Sequence, residues 1–168
     1  METNWHKIQS YVRKTVFILA NFLLIAFFTR FFIIEPGRVS GTSMEPNYKN
    51  NEFFLVNKVA LLFREPERFE VVQVVDQYNS NQLLVKRVIG LPGDIMLLKN
   101  NRVYINGELL DEPYLDESVS TKPAYSTDTK FVISPDYYFL LGDNRTLSRD
   151  SREFGPIHRS MIIGKAIK

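Results

Sequence analysis

Between Thr15 and Thr29 the chain reads TVFILANFLLIAFFT, an almost unbroken apolar run with Arg13 and Lys14 before it and Arg30 after it. Few structures can accommodate such a run. As a helix it measures roughly 22 Å, short of the ~30 Å hydrocarbon core of a bilayer. Continuing through Ile34 brings it to about that thickness, with Arg30 reaching back to the interface along its aliphatic stem. A buried core helix would carry a polar face, yet only Asn21 interrupts the run. A cleaved leader would end in small residues, whereas Arg30, Phe31 and Phe32 follow. The run therefore reads as one retained transmembrane helix over 15–34, preceded by a tail, 1–14, and followed by a domain, 35–168. His6, Lys7, Arg13 and Lys14 place the tail on the cytoplasmic side, by the bias of basic residues toward that face. The remaining domain is then expected on the extracytoplasmic side of the cell membrane.

With 168 residues, the chain suits a single core beside that helix. Its 21 basic and 19 acidic side chains leave a net charge of +2, too balanced for the phosphate-neutralising field of a nucleic-acid binder. There is no cysteine, which removes disulfide frameworks, thiolate metal sites and cysteine nucleophiles together. His6 and His158 fall on opposite sides of the apolar run, which argues against a two-histidine metal site or a triad built on His6.

Beyond Ile34, short apolar runs alternate with turn signals. Strands are expected at Glu52 to Val56, Val71 to Asp76, Leu83 to Ile89, Ile95 to Leu98, Arg102 to Ile105 and Tyr137 to Leu141. Asn100-Asn101 and Asn106-Gly107 read as successive tight turns leading to Glu108 to Leu110, with Gly107 supplying a positive φ. Lys58 to Phe63 fits a short helix or another strand. The stretch 111–130 is polar, holds Pro113 and Pro123, and lacks periodicity, so a surface loop or a poorly ordered excursion is expected there. The fold class is mostly β: curved antiparallel sheets in a compact domain, because hairpin-length connections dominate and no helix of crossover length appears.

Three segments carry candidate chemistry. Ser43 lies in Ser40-Gly41-Thr42-Ser43-Met44-Glu45-Pro46, whose small residues and proline favour a tight, exposed backbone; taken alone, this is ordinary turn chemistry. Lys86 lies in a strand that puts Leu84, Lys86 and Val88 on one face and Val85, Arg87 and Ile89 on the other, so each face carries one cation between apolar neighbours. Such a lysine guards a strand edge, or burial favours its neutral amine and makes it a base. The third segment, Leu141 to Pro156, is dense in acids, arginines and serines after an apolar strand. It is a solvated loop or a hydrogen-bond network around the site.

Together the segments resemble the signature boxes of bacterial signal peptidase I. These are Gly41-Thr42-Ser43-Met44-Glu45-Pro46 just after a membrane anchor; Lys86-Arg87-Val88-Ile89-Gly90-Leu91-Pro92-Gly93-Asp94; and Gly142-Asp143-Asn144-Arg145 leading to Asp150-Ser151-Arg152-Glu153-Phe154-Gly155. Order and spacing match, and the size is that of the compact form common in Gram-positive bacteria. The resemblance implies a serine endopeptidase that cuts leader peptides from exported proteins, with Ser43 as nucleophile, Lys86 as general base and no metal or other cofactor. It implies that Ser148 orients the lysine, with Ser151 as the fallback. Asp143, Arg145, Asp150 and Arg152 would support the site, with Arg87 paired to Asp143. Gly41 falls where some members carry an oxyanion-binding serine, so backbone N–H groups, including that of Ser43, are left to carry the oxyanion. The implied partners are signal peptides of exported preproteins and the lipid bilayer, with the secretion machinery as a further candidate, and no nucleic acid.

Two segments depart from the family pattern. Arg68-Phe69-Glu70-Val71-Val72-Gln73-Val74 stands where the family usually reads Arg-Gly-Asp-Ile-Val-Val-Phe, and Thr146-Leu147 replaces a polar pair before Ser148. The rival readings are a catalytically idle homologue and a membrane-tethered β adaptor, both of which would bind exported peptides without cutting them.

Overall fold

The structure, a computed structural model, describes residues 2–29, 33–124 and 128–168. Helix α1 (Glu2–Phe28) projects with its apolar side chains exposed along its length. Its segment Asn4–Phe28 is long and apolar enough to cross a membrane. Two polar side chains in and just after its apolar run bond back to the helix backbone, as a helix in hydrocarbon requires: Asn21 Nδ2 donates to the Phe17 carbonyl at 2.8 Å, and Thr29 Oγ1 to those of Ile25 and Ala26, each at 3.0 Å. The helix expected from the sequence runs through Ile34, but α1 is described only to Phe28. Ile34 instead opens β1 (Ile34–Arg38), because Pro36 drives Glu35 into extended backbone and tolerates only an edge strand. The expected excursion of Arg30 to the interface lies outside the described residues.

The soluble domain is antiparallel throughout. Its further strands are β2 (Phe53–Asn57), β3 (Val71–Asp76), β4 (Asn79–Gly90), β5 (Ile95–Lys99), β6 (Arg102–Ile105), β7 (Glu108–Leu109), β8 (Thr129–Val132), β9 (Tyr137–Leu141), β10 (Ile157–His158) and β11 (Ile162–Ile167), with a one-turn helix α2 (Ser151–Phe154) after β9. Seven strands form one sheet in the order β1-β2-β11-β3-β4-β9-β10, and four form a second in the order β7-β6-β5-β8. The expected strands are all present. Lys58 to Phe63 resolves into a 3-10 turn at Val59–Leu61. Both expected hairpins form with left-handed residues at their tips, Asn100 and Asn101 in one, Asn106 and Gly107 in the other.

The sheets enclose three apolar clusters. Val72, Val74, Val88, Tyr138 and Leu140 pack with Ile157 and Ile162. Ile89, Met96, Leu98, Phe139 and Leu141 pack with Val103 and Ile133. Val39, Met44, Tyr48, Phe54, Val56 and Val71 form the third. Strand β4 touches all three, which fixes both of its faces. Its pairing with β9 begins only at Arg87, whereas its pairing with β3 extends back to Asn79. The stretch before Arg87 therefore has one unpaired edge.

Candidate active site

The Ser43 loop is pinned from below and from both ends. Met44, 1% exposed, plugs the third cluster. Val39 exchanges backbone hydrogen bonds with Glu52 and Asn51, each 2.9 Å, and Tyr48 N–H closes the turn on the Met44 carbonyl at 2.8 Å. Gly41 sits at φ 93°, a conformation that side chains resist, and its N–H donates to Asn50 Oδ1 at 2.9 Å. The Asn144 N–H donates to the Ser43 carbonyl at 3.0 Å, joining the first sequence box to the third.

Facing this loop, Lys86 projects from β4 among the apolar side chains of the first cluster and is 2% exposed. Its Nζ lies 2.8 Å from Ser43 Oγ. It forms no ion pair among the described residues, and burial lowers its pKa to about 8, against the opposing pull of Asp150. A neutral amine at hydrogen-bonding distance from a hydroxyl can take that proton, which is the first requirement of nucleophilic attack by serine.

Arg87 points the opposite way. Its Nε and Nη2 grip Asp143 at 2.8 and 2.5 Å, its Nη1 donates to the Phe69 carbonyl at 2.8 Å, and its guanidinium lies 4.0 Å over the Tyr114 ring. Asn47 Nδ2 donates to Asp143 Oδ2 and to the Tyr114 carbonyl, both at 2.9 Å, so the same cluster braces the end of the Ser43 loop.

The third box closes the back of the site. Asp150, fully buried, caps α2, accepts from the Gly142 N–H at 3.0 Å and pairs with Arg152 Nε at 2.8 Å. Arg152 Nη2 reaches the Ser148 carbonyl at 3.2 Å. Arg145 donates to the Gly142 carbonyl at 3.1 Å and binds Glu112 and the Thr121 hydroxyl. An added Cβ on Gly142 would fall on Ser148 Oγ and lie 2.5 Å from the Ser43 carbonyl oxygen, so only glycine lets these groups meet.

Ser148 departs from expectation. It is buried beside the Ser43 main chain, but its Oγ has no hydrogen-bond partner among the described residues, so the expected bond to Lys86 is not formed. Lys86 Nζ is turned to Ser43 instead, and Ser148 packs on Gly142. The fallback, Ser151, uses its Oγ to accept from the Leu140 N–H at 3.0 Å. Leu147 turns to solvent, 68% exposed, and leaves Ser148 in place.

Sequence reasoning missed Asn47, Glu112, Tyr114 and Thr121. The last three belong to the stretch read as a surface excursion, yet Thr121 is buried and its N–H pairs with the Asn101 carbonyl at 2.8 Å. Burial and the neighbouring Glu112 push the Tyr114 hydroxyl pKa upward, so Tyr114 meets Arg87 as a neutral ring. His158 supports the turn Arg159–Met161 through Ser160 and lies outside this network. Among the described residues no cluster of His, Asp and Glu could hold a metal ion.

In front of Ser43 runs a cleft of about 330 Å³, walled on one side by Glu35 to Ser40 and on the other by Gln82 to Val85. Strand β1 is a sheet edge, and this part of β4 is unpaired toward β9, so the cleft offers main-chain groups to an extended peptide. A curved β domain that sets a serine hydroxyl against a buried lysine amine beside such a cleft has the parts of a serine–lysine peptide hydrolase. The profile of the signal peptidase family, peptidase S26, matches residues 12–168. The chain is 38% identical over 167 residues to signal peptidase IB of Staphylococcus aureus, covering 92% of this chain and 86% of that protein. It is 34% identical to a probable signal peptidase I-2 of Synechocystis, covering 86% of this chain and 66% of that one. The crystal structure of a signal peptidase I from Enterococcus faecalis superposes with a TM-score of 0.52 at 33% identity, covering 61% of this chain and 97% of that one. The chain belongs to the signal peptidase family, peptidase S26.

Proposed function

We propose that this protein is a membrane-anchored serine endopeptidase that removes signal peptides from exported proteins, with Ser43 as nucleophile and Lys86 as general base. The observation that carries the reading is the 2.8 Å contact between Ser43 Oγ and an amine whose pKa burial lowers to about 8. In the reaction the neutral Lys86 amine accepts the Ser43 proton as Oγ attacks the scissile carbonyl. The resulting ammonium protonates the departing amine, and water then resolves the acyl-enzyme with Lys86 again as base. The Gly41 N–H is engaged by Asn50, so the Ser43 N–H is the assigned oxyanion donor. Asp143, Arg87, Asp150 and Arg152 hold the loops that carry the dyad. Ser148 has a spare hydroxyl beside the nucleophile, available once substrate shifts the site.

Helix α1 is the assigned anchor, with the basic N-terminal tail in the cytoplasm and the β domain outside the cell membrane, where the secretion machinery would deliver substrate. Strand β1 begins at Ile34, and only about nine residues then lead to Ser43. Fully extended they reach ~30 Å, so the hydroxyl stays close to a substrate whose apolar segment is still in the bilayer. The test is to incubate the full-length protein in detergent micelles with a leader peptide and read the products by mass spectrometry. One cut at the leader junction is expected, and none from Ser43→Ala. Cleavage by Ser43→Ala at the wild-type rate would overturn the assignment; peptide binding without cleavage by wild type would favour the idle homologue.

A further inference from the structure

Strand β3 is valine at four of its first five positions, and the exception, Gln73, is 6% exposed. Its backbone is flanked by Gly164 of β11 and Val85 of β4. Its side chain lines the cleft that holds Ser43, among Gly37, Val39, Met44, Phe54 and Val85. Gln73 Oε1 is buried and accepts no hydrogen bond among the described residues. An unpaired buried amide oxygen calls for an explanation, because native interiors seldom leave one without a partner. The side chains Val39, Met44, Phe54 and Val85 have no donor to offer, and the donors elsewhere in the cleft lining, Arg38, Ser40, Ser43 and Gln82, make no hydrogen bond to it. A donor brought in along the cleft can reach it. Space limits what enters: the Phe54 ring lies so close over Gly37 that an added Cβ would meet it at 2.6 Å.

We propose that Gln73 determines specificity in this cleft, which recognises a substrate side chain carrying a hydroxyl, serine or threonine, at the first or third position before the cut. These two positions share one face of an extended peptide, and the proposal rests on the peptidase reading above. A hydroxyl suits the site because it donates to an amide oxygen and, if the amide is turned, accepts from its NH₂. Gln73 also lies in the segment 68–74 that departs from the pattern Arg-Gly-Asp-Ile-Val-Val-Phe given above.

The test uses the full-length protein in detergent micelles and two peptide series, differing only at the first or only at the third position, each holding threonine or its isostere valine. Wild type should cut the threonine peptide with a kcat/KM about three- to tenfold above the valine peptide at one of the two positions. Gln73→Met, of similar size and shape, should bring that ratio to about one and raise the thermal midpoint, since an unpaired amide is removed. Equal use of threonine and valine at both positions by wild type, or an undiminished preference in Gln73→Met, overturns the proposal and leaves the peptidase reading standing. If wild type cuts no peptide in either series, both fall together.

Discussion

Lys86 and Arg87 are consecutive residues of one strand, both buried, and their surroundings are opposite. Arg87 meets a carboxylate in two-point geometry, a carbonyl and an aromatic face. Lys86 meets one neutral hydroxyl. A guanidinium keeps its proton under any conditions a protein meets, so burying it demands a partner. An ammonium can give its proton up, so burial without a partner makes it a base. Asp150, the acid that most favours the charged lysine, is already committed to Arg152 and the Gly142 N–H, which blunts its pull. One strand thus carries a paired strut on one face and an unpaired amine of lowered pKa on the other, and the difference lies in which groups Asp143 and Asp150 engage.

The largest effect should come from breaking the Lys86 side. Lys86→Met should lower leader-peptide cleavage by roughly 10²- to 10⁴-fold, and Lys86→Arg should be equally inactive. The wild-type rate should climb as pH rises through about 8, where Lys86 becomes neutral. Stability carries the same signature. The folded-state pKa lies below the unfolded one, so the unfolded chain binds the extra proton between about 8 and 10.5, and stability rises with pH across that window. Below it, the buried ammonium costs on the order of 3 kcal/mol. Lys86→Met should therefore melt above wild type at neutral pH, with the gap closing by pH 10.5. A rate flat from pH 6 to 9, or a variant that melts below wild type, would assign the base elsewhere.

On the strut side the sign reverses. Arg87→Met leaves the Asp143 charge buried and unpaired, at a cost of about 3–5 kcal/mol by denaturant titration. Adding Asp143→Leu should return most of that stability. It should not return the cleavage rate, because Asp143 also holds Asn47 at the end of the Ser43 loop. If the double variant stays as unstable as the single one, the pair is more than a compensated burial.

The Ser43, Lys86 and Asp143 segments were legible because each is a short run whose residue types are tied to one task, and the hairpins because their tips demand asparagine or glycine. What stayed illegible is held by distant partners. Glu112 and Thr121 are ordered by Arg145, and Tyr114 stacks on Arg87, so nothing in their own neighbourhood marks them. Strand β11 escaped for a related reason. Gly164 and Lys165 break its apolar run, yet the glycine is required because an added Cβ would lie 2.7 Å from the Asn57 carbonyl, and the lysine pairs with Glu70 at 2.7 Å. Both exceptions are written by the neighbouring strand and by the turn before β3.

Phe69 gives the smallest and most discriminating test, because it bonds Arg87 through its backbone carbonyl while its ring reaches the strut only by way of Tyr114. It stands where the family usually has glycine, and it keeps the glycine conformation, φ 72°. That conformation costs a side chain about 1–2 kcal/mol. The turn persists because its backbone is bonded on both sides: Phe69 N–H to the Val88 carbonyl at 2.7 Å, Val88 N–H to that of Glu70 at 2.9 Å, and the Phe69 carbonyl to Arg87. The ring offsets part of the strain by packing 5.5 Å from Tyr114, at the edge of the second cluster. Phe69→Gly relieves the strain, loses that packing and loosens the unfolded chain by roughly 0.5–1 kcal/mol. These contributions nearly cancel, so stability should move by no more than about 1 kcal/mol in either direction. Cleavage should hold within about twofold, since the carbonyl that grips Arg87 is retained. A loss of more than about 3 kcal/mol would mean that the ring, not the backbone, secures the Arg87 side. A large fall in rate at unchanged stability would mean that the strut sets the aim of Lys86 as well as the fold.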